Sequence, residues 1–313
     1  MSQSAPNIAL RPTAPAAPRR RSRRRRETLA GWLFVAPMLA GVTVLTLVPI
    51  LFMFAMSLAD WNFIAGLGDI RWVGLDHFRH LTGDKVFQRS LTNNLIFLVS
   101  VPVYMIISFI LAVLIHRHVW FQGWFKVVFF LPYISSVVAV ATVWQVLFHP
   151  SLGPVNQVLR TLGMTDPPKW IADPQFALVS VMMISVWISI GFNMIVYLAG
   201  LQAIPKDLYE AAEIDGAGGW TKLTRITVPL VSPTTFFLLI TGIIYTFKVF
   251  DLIAVLTKGG PANSTTVLVW NIYETAFTHL KVGYASAMSV VLLACVLAIT
   301  LVQWFGQKRW VNY

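Results

Sequence analysis

One cysteine, Cys295, occurs in 313 residues, which excludes an internal disulfide framework. It sits in an apolar run and reads as a small packed side chain. No Cys/His cluster has metal-ligand spacing, so neither a structural nor a catalytic metal site is expected. Charge is scarce too: Asp, Glu, Lys and Arg make up 12% of the chain, against roughly 25% in soluble domains. No GxxxxGK[ST] pattern is present, so the chain has no phosphate-cradling loop and is not expected to hydrolyse ATP itself. The six histidines fall in predicted loops or at their edges. With no Ser/His/Asp or Cys/His arrangement in a shared site, no catalytic residue is assigned and the chain does not read as an enzyme.

Apolar residues, by contrast, make up 57% of the chain, which rules out disorder and argues against a water-soluble globule. The net charge of +11 raises the possibility of a nucleic-acid partner. Its distribution lowers it again, because residues 1–26 hold eight arginines and no acid, leaving 16 basic and 13 acidic side chains in the other 287. Nucleic acid is therefore not assigned as a partner, although an Arg-only tail could bind it electrostatically. Residues 1–27 are expected to be a disordered, Arg-rich tail; the first 18 are Pro/Ala-rich with little hydrophobic pattern.

Crossing the roughly 30 Å hydrocarbon core takes about 20 mostly apolar residues. Five stretches free of Asp, Glu, Lys, Arg and His are that long, at 28–59, 90–115, 127–148, 174–205 and 282–307; a sixth, 233–256, contains only Lys248 and Asp251. Lipid-exposed backbone must satisfy its own hydrogen bonds, so the runs should be helices. The fold class is all-α: a polytopic membrane protein with spans at about 29–58, 91–115, 126–148, 175–201, 233–256 and 283–306, within a domain covering 28–313. A cleaved leader fits the first run poorly, because the run is too long, contains Pro37 and Pro49, and is followed by five more spans. With the N-terminus inside, the inner segments hold 15 Lys and Arg and the outer ones 8, which places both termini on the cytoplasmic side.

The most informative stretch is the inner loop 202–230. Pro205 ends the preceding helix, and Lys206 to Asp215 can form a short helix ending at Gly216, where a left-handed cap is accessible. Leu208, Ala211, Ala212 and Asp215 then share a narrow face that would admit another protein's backbone, and Glu210 beside it offers a carboxylate to a partner's arginine. Trp220, Leu223, Thr224 and Thr227 repeat that spacing up to Pro229, predicting a second short helix. Spacing alone leaves two readings open, a docking element or an interfacial hairpin that closes the bundle.

Glu210, Ala211, Ala212, three residues, Gly216, nine residues, then Ile226, Thr227, Val228 and Pro229 resemble the EAA loop of permease subunits of binding-protein-dependent ABC importers. Val228 stands where that family usually has Leu. The resemblance runs from about Trp32 to Gln307 and includes WVGLDHFRHL, FKVFDLIAVLTKGGPANSTT and NIYETAF, which are similar to the first permease of the carbohydrate and glycerol-phosphate group. It implies a type I ABC importer permease fold in a bacterial inner membrane, and coupling to an ATPase through Glu210, Ala211, Ala212, Asp215 and Gly216. The implied partners are a second homologous permease forming a heterodimer, two ABC ATPases, an extracytoplasmic solute-binding protein, a saccharide and membrane lipid. This chain would bind no cofactor, with ATP and Mg used by the partners.

Ionisable and polar groups inside a span are candidates for the substrate path. Lys248 and Asp251 are three apart, hence on one face of the fifth span; they read either as a neutralised structural pair or as part of an outer gate. Asn193, Tyr197, Trp187 and Tyr245 combine aromatic faces with hydrogen-bonding groups as a sugar site would, while packing is the competing reading for the aromatics. The rival function is an ion-coupled secondary transporter, for which Asp251 would be the one intramembrane carboxylate available.

Overall fold

The computed structural model describes residues 20–62, 64, 66–116 and 120–310. Most of the expected disordered tail lies outside them. Residues 20–27 differ from expectation: they are helical, because arginine is a good helix former and the apolar run behind them provides a helix to extend.

Two compact units divide the chain, 1–52 and 53–313. The first holds α1 (Arg20–Val42), which passes through a π-helical turn, Thr43–Leu47, into the start of α2 (Val48–Ser57). The turn has a cause in the sequence. Pro49 has no N–H and its ring crowds the carbonyl four residues back, so the turn before it widens, and the Val48 N–H bonds the Thr43 carbonyl.

The second unit takes up the last five residues of α2 and then a two-residue hairpin, β1 (Ala59–Asp60) against β2 (Arg71–Trp72), the only strand pair among the described residues. Two short helical pieces come next. These are α3 (Asp76–Gly83) and α4 (Lys85–Phe97), whose N-cap Asp84 accepts from the Val86 and Phe87 amides at 2.8 and 3.1 Å. With α5 (Ser100–His116), α4 forms the second span.

The third span, predicted as one helix over 126–148, is two: α6 (Gln122–Ile134) and α7 (Val137–Leu147), bent by 95°. Pro132 removes one backbone donor near the end of α6, and Ser135 and Ser136 take extended ψ values of 151° and 125°, so the hydrogen-bond ladder stops there. Beyond α8 (Pro154–Thr161), α9 (Ala177–Gln202) supplies the fourth span unbroken.

The loop predicted at 202–230 holds α10 (Lys206–Ile214), α11 (Gly219–Lys222) and α12 (Val228–Leu230) before α13 (Ser232–Phe247). Next come α14 (Asp251–Leu256), α15 (Leu268–Tyr273) and α16 (Val282–Trp310). Among the described residues four helices are long and apolar enough to cross a membrane, and up to six spans result if each bent pair counts as one.

The fifth span is shorter than the predicted 233–256. Its helix ends at Phe247, and α14 packs against α7 as a separate element. Lys248 caps α13 and Asp251 opens α14. Each charge thus complements the dipole of its own helix end. The two do not share a helix face, and no described ion pair joins them.

At the centre of this unit, α9 packs against α5 and α6. A Cβ at Gly191 would fall on the Phe129 carbonyl, so α6 can approach α9 this closely only where the side chain is a hydrogen. From α5, Ser108 Oγ donates to the Ile190 carbonyl at 3.0 Å. Buried apolar clusters lie on either side of that contact. Phe97, Phe148, Ile184 and Ile253 belong to one; Val101, Met194 and Leu238 belong to the other.

Candidate functional site

Two places collect the candidate residues: the helical loop after α9, and a cavity half-way along α9.

Local hydrogen bonds define the loop. Pro205, with its fixed φ, starts α10, and Gly216, at φ +74°, stops it. The Ala217 amide bonds the Ala212 carbonyl at 2.8 Å and the Gly216 amide bonds the Glu213 carbonyl at 3.0 Å, the paired bonds of a Schellman cap. A side chain at 216 would meet no neighbour but would have to accept the left-handed conformation.

Side-chain contacts then fasten α10 to the rest of the loop. Tyr209 Oη and Thr227 Oγ1 are 2.9 Å apart, and Lys222 Nζ donates to Glu213 Oε1 at 3.2 Å. Tyr209 and Ala212 are half-buried, whereas Glu210, Ala211, Ile214 and Asp215 are exposed. The predicted face therefore holds in part: Leu208, Ala211 and Asp215 point outward, and Ala212 turns partly toward the rest of the chain.

The second predicted face fails. Trp220 is 76% exposed and Thr227 is buried. Here too a proline sets the geometry. The Val228 N–H bonds the Leu223 carbonyl just before Pro229, making Leu223–Thr227 a π turn. Its extra residue rotates Thr227 off the face that a 3.6-residue repeat would predict. The valine-proline pairs at 48–49 and 228–229 produce the same device.

The cavity encloses about 210 Å³. From α9 it is lined by Ile188, Ser189, Phe192 and Asn193, from α5 and α6 by Tyr104 and Tyr133, and from α13 by Thr241, Gly242 and Tyr245. Asn193 is 6% exposed, and its Nδ2 donates to the Ser189 carbonyl at 2.8 Å. That bond uses one donor and leaves Oδ1 as an acceptor. Tyr133 stacks on Phe192 with centroids 4.9 Å apart and planes 20° apart. Gly242 makes room for Tyr104, whose hydroxyl occupies the position a Cβ would take.

Of the predicted path residues, the structure brings Asn193 and Tyr245 together. Trp187 lies elsewhere, 41% exposed and edge-on to Trp144 at 5.6 Å. Six residues of helix rotate it by about 240° from Asn193, so the spacing could have excluded it. Tyr197 is 2% exposed and packs edge-on to Phe109 at 5.3 Å, a core contact. Lys248 and Asp251 are not among the described lining residues. Sequence reasoning missed Tyr104, Tyr133, Phe192 and Thr241. A partial signal existed, since Ser189 and Phe192 lie four and one residues before Asn193 on α9.

Residues 84–311 match the family described as binding-protein-dependent transport system inner membrane component. The lactose transport system permease protein LacF of Rhizobium radiobacter is 35% identical over 296 residues, covering 93% of this chain and 98% of that one. An sn-glycerol-3-phosphate transport system permease protein, UgpA of Agrobacterium fabrum, is 37% identical over 242 residues, covering 76% and 82%. A chain in the crystal structure of a bacterial alginate ABC transporter, in complex with an alginate pentasaccharide-bound periplasmic protein, superposes with a TM-score of 0.81 at 25% identity, covering 93% of this chain and 98% of that one.

Proposed function

This chain belongs to the family of binding-protein-dependent transport system inner membrane components, and on that premise we propose how its two sites share the work of an ABC importer. The chain is a transmembrane subunit of an ATP-driven importer that moves a saccharide or sugar-like solute inward by alternating access. Its cavity forms one wall of the solute path, Asn193 and Tyr245 contributing contacts. A second, homologous permease faces that wall, and a solute-binding protein delivers from the outer side. On the cytoplasmic side, α10 inserts into a cleft of one of two ATPase subunits, with Glu210 meeting a basic group there.

The observation that carries this reading is α10. Its outward side combines small Ala211 with exposed Glu210 and Asp215, while Tyr209 and the Glu213–Lys222 pair hold its inward side to the chain. A helix so fixed transmits a push from outside. The excess of Lys and Arg in the inner segments supports cytoplasmic termini. Nucleotide and Mg belong to the ATPases in this scheme, since the sequence has no phosphate-cradling loop.

Ion coupling is not favoured: Asp251 sits at the first turn of α14, where the helix dipole already stabilises its charge. Uptake by the full complex in proteoliposomes separates the two. ATP without an ion gradient is expected to drive accumulation, and accumulation driven by the gradient without ATP would reject the proposal.

A further inference from the structure

We propose that the wall this chain gives to the solute path is built for an uncharged pyranose and selects against phosphate esters and uronates. The proposal rests on the permease reading above. It starts from the chemistry of the cavity: among the described lining residues none carries a charge, and the polar groups are hydroxyls and one amide. Removing a full charge from water is far more costly than removing a hydroxyl, unless a counter-charge or dense hydrogen bonding replaces the hydration. An anion crossing at this depth would meet no cation from this wall. The nearest charged residues in sequence, Lys248 capping α13 and Asp251 opening α14, lie three and six residues beyond Tyr245, outside the lining, and have opposite signs.

What the wall does offer suits a sugar ring. Tyr133 lines the cavity and, although stacked on Phe192, stays 43% exposed, so the aromatic side chain is accessible to a solute. Such a surface packs against the C–H face of a pyranose and gains nothing from a phosphate. Asn193 spends one Nδ2 hydrogen on Ser189 and keeps the other together with Oδ1, a neutral donor–acceptor pair that matches a sugar hydroxyl and supplies no counter-charge to a carboxylate or phosphate. The volume of about 210 Å³ falls below the roughly 300–1,000 Å³ of complete ligand sites. That is the size expected of a half-site completed by a facing subunit.

The test uses the full complex in proteoliposomes with its binding protein. Vesicles are exposed to a small-molecule extract of the source cells with and without ATP, and solutes accumulated only with ATP are identified by mass spectrometry. An uncharged, pyranose-containing solute is expected. A phosphorylated or carboxylated solute would overturn the selectivity while leaving ATP-driven import intact, whereas the absence of any ATP-dependent accumulation would reject the permease reading itself.

Two variants then ask whether this wall does the selecting. With the identified solute, Tyr133→Leu is expected to raise the half-saturating concentration about tenfold, and Tyr133→Phe, which keeps the ring, to stay within about twofold of the unaltered complex. An unchanged value in Tyr133→Leu would overturn the role of this wall.

Discussion

The loop after α9 and the cavity along α9 hang on the same helix yet are built oppositely. The loop is local. Its cap, its Glu213–Lys222 pair and its Tyr209–Thr227 contact all join residues within about twenty positions of one another, and its outward face is open to solvent. The cavity is assembled from α5, α6, α9 and α13, and its central amide is buried. What the contrast teaches is that the loop can fail without the cavity, and the cavity can be retuned without the loop, unless the helix carrying both is displaced.

That exception gives the largest expected effect. Gly191→Leu would place a side chain where the Phe129 carbonyl lies, forcing α6 off α9, so both functions should go together and the variant should be depleted from the membrane fraction, read by immunoblot. A stable, active variant would break the picture of α9 as the shared scaffold.

Glu210→Ala comes next. Loss of a charge-assisted contact of about 1.5–3 kcal/mol should lower ATP-driven uptake about 10- to 100-fold, with solute affinity unaltered. Uptake near the unaltered level would move the coupling contact elsewhere on α10. Asn193→Ala should act on the other region. One neutral hydrogen bond, about 1 kcal/mol, predicts about a fivefold rise in half-saturating solute concentration; no rise would remove Asn193 from the path. The smallest effect is expected for Trp187→Leu, less than about twofold in that same constant, because the ring is turned away from the cavity. A tenfold effect there would mean the solute passes along a different face of α9.

The same contrast explains what could be read from the residues alone. Six runs of membrane length and the Glu210-to-Pro229 pattern are contiguous in sequence, so composition and motif reach them directly. Breaks inside spans are harder. Pro132 with Ser135 and Ser136 carried a signal for the 95° bend, but Phe247–Phe250 is as apolar as its surroundings apart from Lys248, and only the packing of α14 on α7 shows that the helix stops. The cavity was half legible. Asn193 stood out because an amide in an apolar run must find partners, and Tyr245 was reached as an aromatic with a polar tip. Tyr104 and Tyr133 join them only through tertiary approach, at Gly242 and by stacking on Phe192, which no single helix pattern encodes. Trp220 and Thr227 mark the reverse failure, where a regular period was assumed across a proline-widened turn.

The separation of the two regions is tested most directly by Gly216→Val, which puts a β-branched side chain at φ +74° and so deforms the end of α10 without touching the cavity. Solute binding and ATP-driven uptake should be measured side by side on the assembled complex. The account predicts binding within about twofold of the unaltered protein and uptake abolished; normal uptake would contradict it.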